Sequence, residues 1–397
     1  MAAERPVERQ FPFARLSPPV ILAGVVGLAL FAAGVFVRPT PFLYGYLAAY
    51  LFWFGIAVGS LGAFMLWQLT GGGWGRLLQP ILEASIGTLP LLAILFIPIV
   101  AGAGRLYPWS DDSIVAADSI LESKSSYLNF EGFAVRAVVY FAIWLALATL
   151  LLRWSRRYYE TSDSRIAGRM ATLSGPGLVL WSLALSFAGI DWVMSLEPHW
   201  FSSIFPVVFG VGLLLLTLSF SIAVIVGLAA GFEAESPQDA FPIRYLHDLG
   251  NLLLAIVMFW AYVAFSQFLL IWSGNLPEET SWYLPRSRGP WFAATLVLIA
   301  GQFMLPFAAL LFRGVKRRPA VLAGLAGLLV ALSLLNIAWQ VLPSFDDDSW
   351  IGAGLAGTSL AASFVGVGGV WLWAFLGRLR RLPPPPWVEL AAEAHHG

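Results

Sequence analysis

The chain has 397 residues, of which 59% are hydrophobic and only 12% are charged, whereas soluble domains carry roughly a quarter charged residues. So few charges cannot coat a water-facing surface of this size, which argues against a soluble globular protein and predicts a polytopic membrane protein. The 23 basic and 23 acidic residues cancel, so the sequence lacks the basic footprint of a nucleic-acid-binding protein.

Ten apolar segments, each long enough to cross about 30 Å of hydrocarbon, recur along the chain. Each is predicted to be an α-helix, because backbone in contact with lipid must satisfy its own hydrogen bonds. The fold class is therefore an all-α integral membrane protein. In chain order the predicted helices are Val20–Val37, Phe42–Leu69, Leu82–Gly102, Phe133–Leu152, Leu173–Met194, Ile204–Ala230, Leu249–Ser273, Trp291–Phe312, Ala320–Leu342 and Gly352–Leu376.

The positions of these helices divide the chain into three predicted parts: a tail at 1–17, a ten-helix membrane domain at 18–376 and a Pro-rich tail at 377–397. The first tail is charged and no small-residue cleavage site follows the first apolar segment, so no signal peptide is predicted. Of the 23 Lys and Arg residues, 17 lie on the side of the N-terminus, 5 lie on the opposite side and Arg136 lies within the fourth helix. By the positive-inside rule, both tails are expected in the cytoplasm.

Residues that commonly hold redox centres are scarce. The absence of cysteine excludes disulfides, Cys-ligated iron–sulfur clusters and c-type haem attachment. A membrane b-type haem needs two inward-facing histidines, but His199 and His247 fall at opposite ends of predicted helices, and His395 and His396 lie in the C-terminal tail. We therefore predict that this chain binds no metal and no redox cofactor of its own.

The loops opposite the N-terminus are long and rich in aromatic, Pro and acidic residues. They cover positions 106–112, 191–200, 275–279 and 344–348. Aromatic belts at the lipid headgroups account for part of this composition. We interpret the remainder as an ordered docking surface for extracytoplasmic partners.

A weak internal repeat predicts how the helices are grouped. The fifth helix runs through Asp191 and Trp192 towards Pro198, and the ninth runs through Trp339 towards Pro343. This similarity fits two four-helix bundles, helices two to five and six to nine, flanked by helices one and ten. Glycines at Gly55, Gly59 and Gly62, and at Gly366, Gly368 and Gly369, are interpreted as close helix-packing faces.

Ionisable side chains in a spanning helix are costly and are functional candidates by default. Arg136 is expected to pair with Glu131 or another nearby acid. The candidates on the cytoplasmic half are Glu83, His247 and Asp248, and those on the opposite half are Arg136, Asp191, Glu197, His199, Glu278 and Glu279.

The seventh helix carries a polar stripe. At 100° per residue, Asp248, Asn251, Tyr262, Ser266 and Ser273 fall within about 60° of one another. The separation from Asn251 to Tyr262 is roughly 16 Å at 1.5 Å per residue, which a proton cannot cross without water or neighbouring side chains. The candidates for bridging this separation are Gln302 on the eighth helix and Ser333, Asn336 and Gln340 on the ninth.

Two interpretations of these polar groups stay open. In the first they form two proton half-channels, one entering near Glu83 and Asp248 and one leaving near Asp191 and Glu197. In the second they are helix caps, interfacial anchors and interhelical hydrogen bonds.

Three sequence runs resemble the ActF-type membrane subunits of bacterial alternative complex III, which belong to the NrfD-like (polysulfide-reductase membrane subunit) family. The resemblance spans roughly residues 39–381. The runs are 128–144, with Leu128, Asn129, Arg136, Tyr140, Phe141 and Trp144; 191–201, which reads DWVMSLEPHWF; and 248–280, with Asp248-Leu-Gly, FWAYVAFSQ at 259–267, Trp272 and NLPEET at 275–280.

The resemblance implies a membrane subunit of a respiratory quinol:cytochrome c (or other electron-acceptor) oxidoreductase in the bacterial cytoplasmic membrane. In such a complex menaquinol or another quinol, iron–sulfur clusters and c-type haems are expected in partner subunits. The implied partners are an ActC-like sister membrane subunit, an iron–sulfur subunit, multihaem cytochrome c subunits, small membrane subunits and a terminal haem–copper oxidase, together with membrane lipid.

Two positions depart from the family pattern. Gln302 stands where a histidine is common, and Asn336 stands where an aspartate is common. A neutral amide cannot exchange protons as an acid or base at accessible pH. These substitutions weigh against the proton route that the family resemblance implies through the eighth and ninth helices, although a chain of water molecules is still compatible with them.

Two alternative functions remain at the level of sequence. The first is a quinol-binding membrane anchor of an iron–sulfur and multihaem complex, with a pocket near Asp191, His199 and Trp200. The second is a secondary transporter. Transporters typically have interrupted helices in both halves; here Pro90 interrupts the third helix but the seventh is uninterrupted from Ala255 to Phe265, which argues against transport.

Overall fold

The computed structural model describes residues 17–230, 243–345 and 350–382. Within these ranges every regular element is a helix. Ten of the described helices are long and apolar enough to cross a membrane, so the predicted all-α membrane architecture is confirmed at this level. The predictions for the tail at 1–16, the acidic positions 346–349 and the tail from 383 onward, including His395 and His396, fall outside the described residues.

Several helices extend beyond their predicted ends. The fourth is predicted to end at Leu152 but continues to Thr161, because its basic residues prolong the helix beyond the apolar segment that hydropathy detects. The tenth continues to Leu379, past the predicted domain limit at 376. The ten helices, α1 to α10, are Pro18–Val37, Pro39–Thr70, Gly73–Ala101, Phe130–Thr161, Ser164–Leu196, Phe205–Leu228, Tyr245–Gly274, Gly289–Leu311, Pro319–Ser344 and Gly354–Leu379.

Two of the ten helices are irregular. α3 is built from three pieces, Gly73–Ile86, Leu89–Leu95 and Ile97–Ala101. Pro90 and Pro98 each occupy the first turn of a new piece, where a missing N–H breaks no intrahelical bond. The predicted interruption of the third helix is confirmed. α8 contains a π-helical segment, Ile299–Met304.

α2 lies at the centre of the molecule and contacts α1, α3, α4, α5, α6, α9 and α10. Residues 41–62 of α2 are all buried, as expected for a helix that is apolar on every face. Gly59 allows α6 to approach closely, because a methyl group there would overlap Thr217 Oγ1. That hydroxyl donates a hydrogen bond to the carbonyl oxygen of Gly55 at 3.1 Å. The predicted packing face on α2 is confirmed.

α1 and α10 pack backbone to backbone. A methyl group on Gly27 would lie 2.5 Å from the backbone nitrogen of Gly366, and one on Gly366 would lie 2.7 Å from the nitrogen of Leu28. Gly369 faces Gly24 in the same way. Small residues at these positions bring the two helices into close contact, which is how helices associate when hydrophobic burial supplies little drive.

The two ends of the helical layer differ in character. One end, called the loop end, carries the connections 102–129, 193–204 and 275–288, and these form short helices at Asp112–Ala117, Ser119–Lys124, Pro277–Thr280 and Tyr283–Arg286. Lys124 Nζ joins two of these loops by donating to the carbonyl oxygen of Pro198 at 2.6 Å. The other end, called the basic end, carries Arg153, Arg157 and Arg378.

Candidate functional site

The first acidic site at the loop end centres on Asp191, in the last α-helical turn of α5. Its buried carboxylate accepts hydrogen bonds from Arg136 Nε at 2.8 Å, from Arg136 Nη2 at 3.1 Å and from the Tyr140 hydroxyl at 2.7 Å. Arg136 also donates to the carbonyl oxygen of Tyr127 at 2.9 Å. The structure therefore gives Arg136 a partner 55 positions away in sequence, while Glu131, the neighbour named above as a candidate, is exposed.

The second acidic site pairs Glu197 with Arg286, which is 1% exposed. Arg286 Nη1 donates to Glu197 Oε1 at 2.9 Å, and the Ser344 hydroxyl donates to the same oxygen at 2.6 Å. The guanidinium lies 3.4 Å from the ring centre of Trp282 and donates to three backbone carbonyl oxygens. Burial lowers the pKa of Arg286 to about 10, although Glu197 opposes that shift. The site joins the end of α5 to the segment before α8 and the end of α9.

The three residues proposed for a quinone pocket occupy different surroundings. Asp191 is buried against Arg136. His199 is exposed, and its Nε2 lies 2.6 Å from Asp118 Oδ2 in the neighbouring loop. Trp200 is buried and stacks on Trp282 with ring centres 4.4 Å apart. Within the described residues these side chains face three separate neighbours.

An apolar layer lies beneath the Asp191 site, towards the basic end. Trp192 is fully buried, and its ring centre lies 4.5 Å from Phe96 and 5.2 Å from Phe54. Trp144 packs against Phe54 from the side of α4, with ring centres 5.2 Å apart. Leu151 continues the buried apolar surface of α4 towards the basic end.

Glu83 forms a third acidic site, on the basic side of this layer. Its side chain is 4% exposed, and Oε1 accepts from Ser155 Oγ at 2.5 Å, from Gln79 Nε2 at 2.7 Å and from the Tyr159 hydroxyl at 3.5 Å. These donors are all neutral. Arg156 acts on the carboxylate only through space and forms no ion pair with it.

The polar stripe on α7 faces outward. Tyr262 is 68% exposed, and Asn251 and Ser273 are also exposed, while Ser266 and Asp248 are half-buried. At the basic end Asn251 accepts from Lys316 Nζ at 2.6 Å, and its amide nitrogen lies 3.2 Å from His247 Nδ1. No hydrogen bond joins this group to Glu83 within the described part of the chain. A proton path along this face would therefore need water or a surface contributed by another chain.

Gln302 lies in the π-helical segment of α8 and is fully buried. Among the described residues neither its amide oxygen nor its amide nitrogen has a hydrogen-bond partner. On α9, Gln340 Nε2 donates to Asn336 Oδ1 at 2.7 Å, and Gln340 Oε1 likewise lacks a described partner. Buried amides with unused donors and acceptors bind water when water reaches them, and π-helical segments often accompany functional sites.

Sequence reasoning missed several members of these sites. Arg286 is one of the five basic residues counted on the side opposite the N-terminus, and its burial depends on contacts with Glu197 and Trp339 that are remote in sequence. Gln79, Ser155 and Tyr159 are common residue types near helix ends, and only their convergence on Glu83 distinguishes them. Glu278 was an ionisable candidate but is exposed on a short loop helix.

Among the described residues, no group of three or more His, Asp or Glu side chains is placed to hold a metal ion. No family model and no curated protein sequence matches the chain.

Proposed function

We propose that this chain is a membrane subunit of a respiratory quinol:electron-acceptor oxidoreductase of the alternative complex III type, within the NrfD-like family. It carries no redox centre itself and lies in a bacterial cytoplasmic membrane. The observation that carries the proposal is that two of the three family-like runs meet at the loop end: run 128–144 supplies Arg136 and Tyr140 to Asp191 of run 191–201. Gln267, in the third run, donates to the hydroxyl of Tyr283, which follows that run, at 3.1 Å.

The helix contacts support the proposed two-bundle arrangement. α2, α3, α4 and α5 contact one another in a closed ring, and α6, α7, α8 and α9 form a second ring. α1 and α10 pack together on α2 outside these rings. The contact between α2 and α6, described above at Gly59, joins the two groups.

The loop end is proposed as the extracytoplasmic docking surface for the iron–sulfur and multihaem cytochrome c subunits. The ion pair of Glu197 with Arg286 and the hydrogen bond from Arg136 to the carbonyl oxygen of Tyr127 hold the loops onto the helices, so the surface is preorganised and a partner loses little conformational entropy on binding. The opposite end holds the excess of basic residues, which supports cytoplasmic placement of both tails. The sister membrane subunit, the small membrane subunits and a terminal oxidase would contact other faces.

Proton conduction is proposed only for the basic half, with Glu83 as its acidic group. All three direct partners of Glu83 are neutral, so protonation would leave no cation unpaired. Tyr140, which contacts Asp191, and Ser155, which contacts Glu83, lie about 22 Å apart along α4 at 1.5 Å per residue. The apolar layer lies between them. A complete path would need water or a partner subunit, and the amides of Gln302 and Gln340 provide sites for such water.

The two alternatives receive less support from the geometry. Asp191, His199 and Trp200 face different neighbours, which does not favour a quinone pocket built from them. The two irregular helices, α3 and α8, occupy different positions in the two groups of four, being second and third respectively. The corresponding interruptions expected of a transporter are therefore not matched.

Single cysteines provide a direct test, because the chain has none. Asp112→Cys places a thiol on the exposed loop end, and Glu160→Cys places one on the exposed basic end. In the native complex we expect Asp112→Cys to cross-link to a haem-staining or iron–sulfur polypeptide, and Glu160→Cys not to do so. In intact cells stripped of the outer envelope, a membrane-impermeant maleimide should label only Asp112→Cys.

Purification of the native complex tests the assembly itself. We expect multihaem and iron–sulfur polypeptides to co-purify with the chain, in an assembly that oxidises quinol. Recovery of this chain alone with full activity, or labelling of Glu160→Cys from outside, would contradict the proposal. A photoaffinity quinone that labels this chain, rather than its sister subunit, would favour the quinol-binding alternative.

A further inference from the structure

A groove of about 650 Å³ lies at the basic end, where α3, α4 and α10 meet. Its apolar wall includes Pro90, Leu145 and Ala148, and its polar rim carries arginines from two helices. The groove takes no part in the ion pairs of the loop end. Its composition, apolar along one side and cationic at one end, is that of an amphipathic binding site.

Four guanidinium groups line the rim: Arg153, Arg156 and Arg157 on α4, and Arg378 on α10. Arg156 and Arg157 each lie about one helical turn from Arg153, so the three share one face of α4. All four side chains are exposed, and none forms an ion pair or a side-chain hydrogen bond with another described residue. Among the described residues that line the groove Glu160 is the only acidic one, so this part of the rim has an excess of positive charge.

Arg378 lies beside the break in α3, at the edge of the groove. A methyl group on Gly87 would lie 2.6 Å from Arg378 Nη1 and 2.7 Å from its Cδ, so the side chain lies directly across the backbone of Gly87. Arg378 also lies in the electrostatic field of Arg156 and Arg381. Like charges gathered without a described anionic partner favour an external anion with more than one acceptor oxygen.

The surface around the groove indicates where such an anion comes from. Thr149 and Leu150 line it and are exposed on the outer face of α4, within the apolar stretch of a spanning helix. The groove is therefore open sideways, towards the region that lipid chains occupy. Its cationic rim lies where the apolar surface of α4 gives way to charged residues, which is the depth of a phospholipid headgroup.

We propose that this groove binds an anionic phospholipid, with the phosphate on Arg153, Arg157 and Arg378 and an acyl chain along Leu145, Ala148 and Pro90. Arginine binds phosphate through paired N–H donors, which gives the contact both strength and geometry. Basic pockets between transmembrane helices on the cytoplasmic side are suited to such headgroups. The proposal concerns lipid binding only, and does not depend on proton conduction or on the identity of the complex.

Lipid binding can be measured on the purified full-length chain by native mass spectrometry after reconstitution with cardiolipin, phosphatidylglycerol or phosphatidylcholine. We expect retained adducts with the two anionic lipids and few with phosphatidylcholine. Arg153→Gln with Arg157→Gln should weaken anionic-lipid binding by about thirtyfold, since each basic residue near the surface contributes about a factor of five or more. The matched control is Arg165→Gln with Arg169→Gln, which removes two exposed arginines at the start of α5 and should leave binding within about twofold.

A third variant, Thr149→Trp, keeps every charge and fills the acyl end of the groove from an exposed position. It should also reduce lipid retention, and so it tests the proposal even if the double arginine variant folds poorly. Three results would overturn the proposal: equal losses in the control pair, equal retention of phosphatidylcholine, or full competition by inorganic phosphate at millimolar concentration. Protection of the groove by an acidic protein segment, with no lipid retained, would also overturn it.

Discussion

Asp191 and Glu83 are both almost completely buried and both contact α4, yet their partners differ in kind. Asp191 faces a guanidinium through two hydrogen bonds and a tyrosine hydroxyl. Glu83 faces an amide and two hydroxyls, with no cation paired to it. A proton added to Asp191 would leave Arg136 without its counter-charge, whereas a proton added to Glu83 would leave nothing unpaired. The first site is therefore suited to hold structure, and the second to exchange protons.

The largest expected effect follows from breaking the Asp191 pair. Asp191→Asn keeps the shape but removes the charge, and we expect it to lower the free energy of unfolding by about 3 kcal/mol, because Arg136 is left without a counter-charge. The measurement is detergent-based unfolding followed by tryptophan fluorescence. Glu131→Gln, on the exposed face of α4, is the matched control and should change stability by less than about 0.5 kcal/mol.

A double-mutant cycle sharpens the same point. Arg136→Gln combined with Asp191→Asn removes both charges and should recover part of the loss, which would give a favourable coupling between the two side chains of at least about 1 kcal/mol. If the losses of unfolding free energy caused by the two substitutions simply add, the two side chains do not stabilise each other. The proposed difference between the ion-paired Asp191 and the Glu83 site would then be wrong.

Arg286→Lys tests whether the second loop-end pair resembles the first. A lysine ammonium cannot reach Glu197 and three backbone carbonyl oxygens at once, so we expect a loss of about 2 kcal/mol even though the charge is kept. Arg288→Lys, two positions away and exposed, should leave the free energy of unfolding unchanged in the same assay. Similar behaviour of the two variants would indicate that the fan of hydrogen bonds around Arg286 contributes little.

Glu83→Gln should have a small effect on stability, less than about 1.5 kcal/mol, because the amide oxygen still accepts hydrogen bonds from its neighbours. Its effect should appear instead in proton translocation by the assembled complex reconstituted in vesicles. Glu160→Gln, at the same end but exposed, is the control. Unchanged translocation in Glu83→Gln vesicles would remove Glu83 from any proton path.

The smallest expected effect concerns the contact between Asp118 and His199. Partial desolvation opposes the shift, but hydrogen bonds from His199 and from the amides of Leu121 and Ile120 leave the pKa of Asp118 below its ordinary value. Because the pKa of this carboxyl is lower in the folded loop than in the unfolded chain, its ionised form stabilises the folded loop at pH values above about 4, the ordinary pKa of an aspartate. This stabilisation is lost as the pH falls through the pKa that Asp118 has in the folded loop.

Hydrogen–deuterium exchange across the loop helices would detect this dependence. Exchange in the segment 112–124 should be slow at neutral pH and, after correction for the intrinsic rate, should accelerate below about pH 4. Asp118→Asn still caps the helix Ser119–Lys124 but has no carboxylate to titrate, so its exchange should be less sensitive to pH. An identical pH response in the variant would assign the effect to another group.

Much of the fold was predictable because membrane helices reveal themselves by local composition. The ten segments follow from hydropathy alone, and Pro90 and Pro98 indicate where α3 is interrupted. The ends were harder, since Arg153, Arg156 and Arg157 continue α4 as a helix that is no longer apolar. Hydropathy identifies the apolar part of a helix, but it does not show where the backbone hydrogen bonds of the helix end.

The candidate sites were predictable residue by residue, but their connections were not. Asp191 and Glu197 were identified as costly acids, yet nothing local in sequence links them to Arg136 and Arg286, which lie 55 and 89 positions away. On α7 the stripe that contains Asn251 and Tyr262 was identified correctly as one face, but periodicity cannot tell whether that face points inward or outward. Only the packing of α7 against α6 and α8 decides this.

The glycine contact between α1 and α10 has a consequence for biosynthesis. Among the ten described helices α1 is the first in the chain and α10 is the last, yet α1 packs mainly on α10. Until α10 has been synthesised, the small-residue face of α1 lacks the surface that it packs against in the folded protein. A chain interrupted before α10 would leave the glycine face of α1 without the surface that it packs against.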